Sequence, residues 1–286
     1  MKKVTLVCNH NITDGKLQQA LNEIISLLRN HGLAVSLFDC APANFDFDVC
    51  CQEELQGIDL VIALGGDGTI LSSARLVAAK GIPILGIKFG RLGFLSELEF
   101  HEFPSTIPKL IDGNYMIDER GMLAAEVLRA GKKVFQAYCL NDAVLSRGTL
   151  LRPVGLKVDV DGNTWARFLG DGVVVSTPTG STAYALSAGG PLVTPNVKAI
   201  LLTPLCPHTM SLRPLLVDID CRIHITFTGL RQGGILVLDG QKTYPLREGD
   251  EVVITSAPFH TKLVRFKHGN FFQLVQNKLS RNVYDG

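Results

Sequence analysis

The apolar run Ile58 to Leu64 (IDLVIAL) opens into Gly65-Gly66-Asp67-Gly68-Thr69, and Thr69 to Lys80 keeps the spacing of a helix. A segment apolar throughout, rather than at alternate positions, predicts a strand covered on both faces, as in a parallel sheet flanked by helices. The neighbouring sequence repeats this order. Lys3 to Cys8 reads as a strand, and Leu17, Leu21, Ile24, Ile25 and Leu28 recur at helical intervals before Gly32. Leu33 to Phe38 and Ile82 to Ile87 read as further strands. This alternation predicts a doubly wound parallel α/β domain with ligands beyond the carboxyl ends of its strands.

From about Glu119 the texture changes to short alternating runs: Met122 to Leu128, Val134 to Leu140, Leu156 to Val160, Val173 to Ser176, Ile223 to Phe227, Ile235 to Leu238 and Glu251 to Thr255. Gly131, Asp161-Gly162, Gly233-Gly234, Asp239-Gly240 and Glu248-Gly249 punctuate them as turns. The expected organisation is an α/β N-terminal domain over residues 1–115 and a β-rich C-terminal domain over 116–270. A tail over 271–286 has room to pack back on the first domain.

With 28 Lys and Arg against 27 Asp and Glu, the chain has no field suited to DNA or RNA. No apolar stretch reaches the roughly 18 residues of a membrane span. Asn9, His10 and Asn11 interrupt the first apolar run too early for a signal peptide. The seven cysteines include no C-x-x-C pair and mostly sit in apolar runs. They read as buried thiols of a reducing compartment, so a cytoplasmic location is expected. Cys206-Pro207-His208 offers too few ligands for zinc.

Four stretches carry chemistry. Gly65, Gly66, Asp67, Gly68 and Thr69 form a loop that can bring backbone N–H groups to a phosphate at a helix N-terminus. A tight turn with Asp67 as a helix cap fits the same residues. Neither the P-loop nor the G-x-G-x-x-G spacing occurs. Gly170 to Pro191 holds Asp171 between glycines, then Ser176, Thr177, Thr179, Ser181 and Thr182, then Tyr184 and Ser187. Thr182 to Ala188 is expected as a short helix opening on that loop. Asn141-Asp142 joins a side chain able to pair with an adenine edge to one able to accept from a ribose diol, although Asn-Asp is also a common turn. Asp239-Gly240-Gln241 by itself is a hairpin turn.

Together, GGDGT at 65–69, GRLGFL at 90–95, Asn141-Asp142, DGVVVSTPTGSTAYALSAGGP at 171–191, TPLCPHTMSLRPLLV at 203–217 and DGQ at 239–241 resemble NAD kinases over nearly the whole chain. GGDGT alone is shared with diacylglycerol and sphingosine kinases. The resemblance implies a site between the two domains and a homodimer or homotetramer. It implies Asp67 as catalytic base, a glycine loop that handles phosphates, and NAD held by Asn141, Asp142, Asp171 and the run Thr182, Ala183, Tyr184, Ala185, Leu186 and Ser187. Gln241 falls near the nucleotide, and Arg152 near a ligand-contacting position. The family usually has Asn-Glu where this chain has Asn141-Asp142. An asparagine common before GRLGFL is Lys88 here, and Leu169 stands where several relatives carry a basic residue.

The implied reaction moves a γ-phosphoryl group from ATP, or a phosphoryl group from polyphosphate, to the 2′-hydroxyl of NAD. Mg²⁺ or another divalent cation accompanies ATP, and no protein metal ligand is assigned. A GGDGT-type lipid or sugar kinase and a non-catalytic dinucleotide-binding regulator are the alternatives.

Overall fold

The computed structural model describes residues 1–8, 15–38, 49–50, 55, 57–88, 93–148, 152–209, 211–228, 234–267 and 271–279. It divides into two compact units, Met1–Glu119 with Thr261–Gly286, and Arg120–His260.

In the first unit the elements run β1 (Lys3–Cys8), α1 (Gly15–Asn30), β2 (Ala34–Phe38), β3 (Val49–Cys50), β4 (Leu60–Leu64), α2 (Asp67–Val77), β5 (Ile84–Lys88), β6 (Leu98–Glu99) and α3 (Phe103–Ile111). The strands are parallel, in the order β3-β2-β1-β4-β5-β6. This is a doubly wound sheet whose strand order reverses between β1 and β4, so its ligand crevice is expected at the carboxyl ends of those strands. All five residues of β4 are buried, as its unbroken apolar run requires. Leu60, Ile62 and Leu64 share a core with α1 and α3. Val61 and Ala63 point to the other face, where α2 packs on β4 and β5.

Four first-unit elements, β3, β6, α3 and a closing helix over Phe271–Leu279, escaped the pattern. β3 is two residues long. Helix α3 buries Phe103, Thr106, Ile107 and Leu110 at helical spacing, but Pro104 and Pro108 disguise it. A proline at the first turn costs no hydrogen bond.

The second unit contains the rest of β7 (Met116–Arg129), followed by β8 (Lys132–Cys139), β9 (Asp142–Ser146), β10 (Val154–Val160), β11 (Asn163–Gly170) and β12 (Gly172–Ser176). A 3₁₀ turn (Thr179–Thr182) leads to α4 (Tyr184–Ser187). Then come β13 (Ala199–Leu205), β14 (Leu215–Asp218), β15 (Ile223–Thr228), β16 (Gly234–Leu238), β17 (Lys242–Leu246) and β18 (Asp250–Arg265). One antiparallel sheet has the order β14-β13-β12-β9-β16-β17. Within the unit, β11-β10-β15-β18 and the β7–β8 hairpin are also antiparallel. Alternate residues of these strands, among them Leu123, Leu145, Leu156, Val173, Val175, Leu202, Leu236 and Val252, fill one core. The last residues of β18 belong to the first unit, where Leu263 pairs with Ile84, and α5 (Phe271–Leu279) ends the described chain.

Strand β4 carries the glycine loop at its end, so its packing sets the loop's position. Ile62→Ala should lower unfolding free energy by about 2–5 kcal/mol, as measured by urea denaturation. A loss well under 1 kcal/mol would mean the strand is not the fixed support described.

Candidate active site

Gly65 follows β4 at φ 153°, where a Cβ would overlap the Thr69 hydroxyl, so this turn requires glycine. Gly66 is the N-cap of α2 and no side chain caps the helix. Asp67 is therefore the first helical residue rather than a cap. Its half-buried carboxylate turns to a neighbouring loop instead: Phe94 N–H donates to Oδ2 at 2.9 Å and Leu95 N–H to Oδ1 at 3.2 Å. A Cβ on Gly93 would overlap Asp67 Oδ1, so the loop reaches the acid only with glycine there. Gly93 N–H donates to Ser96 Oγ at 2.7 Å, which closes the loop on itself. Sequence reasoning quoted this loop as a family signature but missed its grip on Asp67. Backbone donors leave no side-chain pattern, and Gly93 was the only clue. Gly90, Arg91 and Leu92 of the same motif lie outside the described residues. Lys88 is half-buried at the end of β5.

In the second unit the carboxylate of Asp239 organises the turn at 140–142. Oδ2 accepts from Leu140 N–H (3.1 Å) and Oδ1 from Asn141 N–H (2.7 Å) and Asp142 N–H (3.3 Å). Asp239 N–H donates to the Asp142 carbonyl at 2.9 Å. Asp239 and Gly240, at φ 50° and 65°, make the expected turn between β16 and β17. The same acid thus shapes the Asn141-Asp142 segment, a role sequence reasoning did not assign. Thr177 ties in the next loop, its hydroxyl donating to the Leu140 carbonyl at 2.6 Å and its N–H to the Asn141 carbonyl at 2.9 Å.

Asp142 pairs in register with Ser176 across β9 and β12, so both side chains leave the sheet on one side. Thr203 of β13, opposite Val174, shares that side. Among the described residues, Asn141 Oδ1, Ser176 Oγ and Thr203 Oγ1 are buried without a hydrogen-bond partner. A buried polar atom left unpaired costs about 1–3 kcal/mol, which a ligand supplying the missing bond recovers. Burial, with the charge of Asp239 adding to it, pushes the Asp142 carboxyl up to about 7. Near neutral pH it can therefore donate as well as accept a hydrogen bond.

The segment after β12 differs from expectation. The predicted helix over 182–188 is a 3₁₀ turn followed by a single turn of helix, because Ala183 breaks the helical run at φ −104°, ψ −130°. One turn carries little dipole, so no helical anion seat arises there. Ser181 is fully buried, its hydroxyl donating to the carbonyls of Pro178 and Val193. Thr182, Ala183 and Leu186 are half-buried, while Tyr184 and Ser187 are exposed. Ala185 is fully buried against Val144, Val174, Leu201 and Leu205, which leaves its methyl no surface to offer a ligand. The Asp171 carboxylate accepts from Arg147 Nε at 2.7 Å, a partner sequence reasoning did not name. Arg152 is exposed, as is Leu169. Cys206 is exposed too, contrary to the expectation of buried thiols, and sits at φ 45°. No group of three or more His, Cys, Asp or Glu side chains suited to a metal occurs among the described residues. None of their helices is long and apolar enough to cross a membrane.

Residues 4–115 match the model of the ATP-NAD kinase N-terminal domain, and residues 140–266 that of the ATP-NAD kinase C-terminal domain. The chain belongs to the ATP-NAD kinase family. The NAD kinase of Desulforamulus reducens is 42% identical over 288 residues, covering 98% of this chain and 97% of its own length. That of Carboxydothermus hydrogenoformans is 44% identical over 228 residues, 80% of this chain and 81% of its own. The crystal structure of yeast NADH kinase complexed with NADH superposes with a TM-score of 0.88 at 27% identity, covering 100% of this chain and 89% of that one. An Archaeoglobus fulgidus NAD kinase in complex with ATP gives 0.76 at 27% identity, with 97% and 98% covered. In this family member both the GGDGT acid and the Asn141-Asp142 turn are thus fixed by hydrogen bonds to main-chain N–H groups.

The raised Asp142 carboxyl has a measurable consequence. The folded chain keeps this proton up to about pH 7, whereas an ordinary aspartate releases it near 3.8. The folded state binds more protons between those values, so this group's contribution to stability declines as pH rises from one to the other. Asp142→Asn, which cannot ionise, should therefore be more stable than the parent at pH 8 by on the order of a few kcal/mol at most, seen as a higher melting temperature. The margin should shrink towards pH 5. Equal margins at both pH values in a thermal-melt series would show that Asp142 titrates normally.

Proposed function

We propose that this chain is an NAD kinase that transfers the γ-phosphoryl group of ATP, or a phosphoryl group of polyphosphate, to the 2′-hydroxyl of the adenosine ribose of NAD, giving NADP. The family membership supports the substrate pair, and the geometry of Asp67 carries the mechanism. A carboxylate has about four lone-pair sites. Phe94 and Leu95 occupy two of them and fix the group's direction. The remaining sites can accept the proton of a sugar hydroxyl as it attacks phosphorus. Gly65, Gly66, Gly68 and Thr69, at the N-terminus of an 11-residue helix, are assigned to the phosphates, with Gly66 as the helix cap and the N–H groups of Gly65 and Thr69 holding the turn through the Ile87 and Gly66 carbonyls at 2.9 and 3.0 Å.

Phosphoryl transfer runs through a loose transition state, so positioning and charge neutralisation dominate. Holding both substrates in place supplies on the order of 7–11 kcal/mol. A general base adds roughly 10²–10⁴-fold in rate. In the second unit, Asn141 is suited to the adenine edge, since its buried Oδ1 lacks a donor. Asp142 is assigned to a sugar hydroxyl, and Asp171, its carboxylate steadied by Arg147, to another NAD contact. Thr182, Ala183, Tyr184, Leu186, Ser187, Gln241 and Arg152 are assigned to the remaining dinucleotide contacts. Ala185 supports this run from beneath. A divalent cation such as Mg²⁺ fits as part of the ATP complex, because Mg²⁺ keeps several waters and needs only one or two protein oxygens. Bound there it would neutralise charge on the transferred phosphoryl group. A cytoplasmic homodimer or homotetramer completes the reading.

A lipid or sugar kinase would share GGDGT, but the match to both ATP-NAD kinase domains, over residues 4–115 and 140–266, favours NAD as the acceptor. A non-catalytic regulator has no use for the acid. Asp67→Asn should bind NAD like the parent while kcat, read as NADP formed from NAD, ATP and Mg²⁺, falls by about 10²–10⁴-fold. Normal turnover by the variant would remove Asp67 as the base.

A further inference from the structure

We infer that Arg265 is a positioning residue for the Asp67 carboxylate, acting through the loop 93–97. The inference rests on Asp67 being the base and names the group that holds it in register.

Arg265, the last residue of β18, is 9% exposed. Its Nη1 donates to the Leu95 carbonyl (3.0 Å), the Ser96 carbonyl (3.4 Å) and Glu97 Oε2 (3.2 Å). Its Nε donates to Asp118 Oδ2 at 3.2 Å. Glu97 is held a second time by Phe266 N–H on Oε1 at 2.8 Å, and its own N–H donates to the Gly86 carbonyl at 2.9 Å. The gripped stretch is the continuation of the loop whose Phe94 and Leu95 N–H groups bind Asp67. One guanidinium thus fastens two consecutive carbonyls directly beyond the donors that aim the acid.

The residue type fits the task. A guanidinium presents five donors in a rigid planar fork, whereas an ammonium is a flexible point charge. Here Nη1 bonds the loop while Nε bonds Asp118, so a lysine can reach the loop or Asp118 but cannot anchor the one against the other. A positional error of about 1 Å in a reacting group costs on the order of 100-fold in rate. Loosening the loop should therefore appear in the chemical step. Asn141, Asp142 and the other residues assigned to NAD lie in the second unit and make none of these bonds.

The test measures kcat and KM for NAD, the calorimetric Kd for NAD, and the melting curve of the parent, Arg265→Lys, Arg265→Met, Glu97→Gln, Gly93→Ala and Asp67→Asn. Gly93→Ala disturbs the acid–loop contact directly and supplies the reference phenotype. The folded Arg265 variants should match that phenotype, with kcat down at least about tenfold and NAD Kd and KM near parental values. Where Arg265→Met does not fold, Arg265→Lys and Glu97→Gln are read by the same split. Folded Arg265 variants with parental kcat, or with NAD affinity falling in step with kcat, overturn the inference. Such variants beside an inactive Asp67→Asn sink only the role of Arg265. A fully active Asp67→Asn sinks the reading on which it rests.

Discussion

Two backbone N–H groups, those of Phe94 and Leu95, turn the Asp67 carboxylate from a mobile surface acid into a directed one. Much of the first unit bears on that contact. The buried strand β4 fixes where the acid leaves the sheet, and a glycine at φ 153° turns the chain into α2. The missing Cβ at Gly93 lets the loop come close, and Ser96 closes it from within. The strand order reverses beside β4, where a parallel sheet leaves a crevice for ligands.

The second unit uses the same device with another acid. Asp239 sits at the tip of a hairpin and draws the N–H groups of residues 140–142 onto its two oxygens. That leaves Asn141 Oδ1 buried and unpaired, and Asp142 buried beside a like charge. Both features are unfavourable in the free chain and are relieved by a partner that supplies donors or takes up a proton-bearing carboxyl. Preorganisation of this kind means the ordering cost is met on folding rather than on binding.

The sequence makes the β4–loop–α2 unit legible because a continuous apolar run and clustered glycines leave few other ways to fold. Helix α3 was hidden by its two prolines, although Phe103, Ile107 and Leu110 kept helical spacing. Strand β11 was hidden because the outward Leu169 breaks an otherwise alternating pattern. Of the site, residue types such as Asp67, Asn141 and Asp142 were readable, but their partners were not. Main-chain donors carry no residue signature, and Arg147 and Arg265 lie 24 and 170 residues from the Asp171 carboxylate and Leu95 carbonyl they bind. The turn at Asp239 was readable as a turn, while its second role depends on a contact about 100 positions away.

The most direct measurement is a crystal structure of this chain with NAD bound. The account predicts the adenosine 2′-oxygen within about 2.6–3.2 Å of an Asp67 carboxylate oxygen, with the Phe94 and Leu95 N–H groups still on the acid. A dinucleotide bound with its 2′-oxygen out of reach of Asp67, and that carboxylate engaged only by the loop, would contradict it.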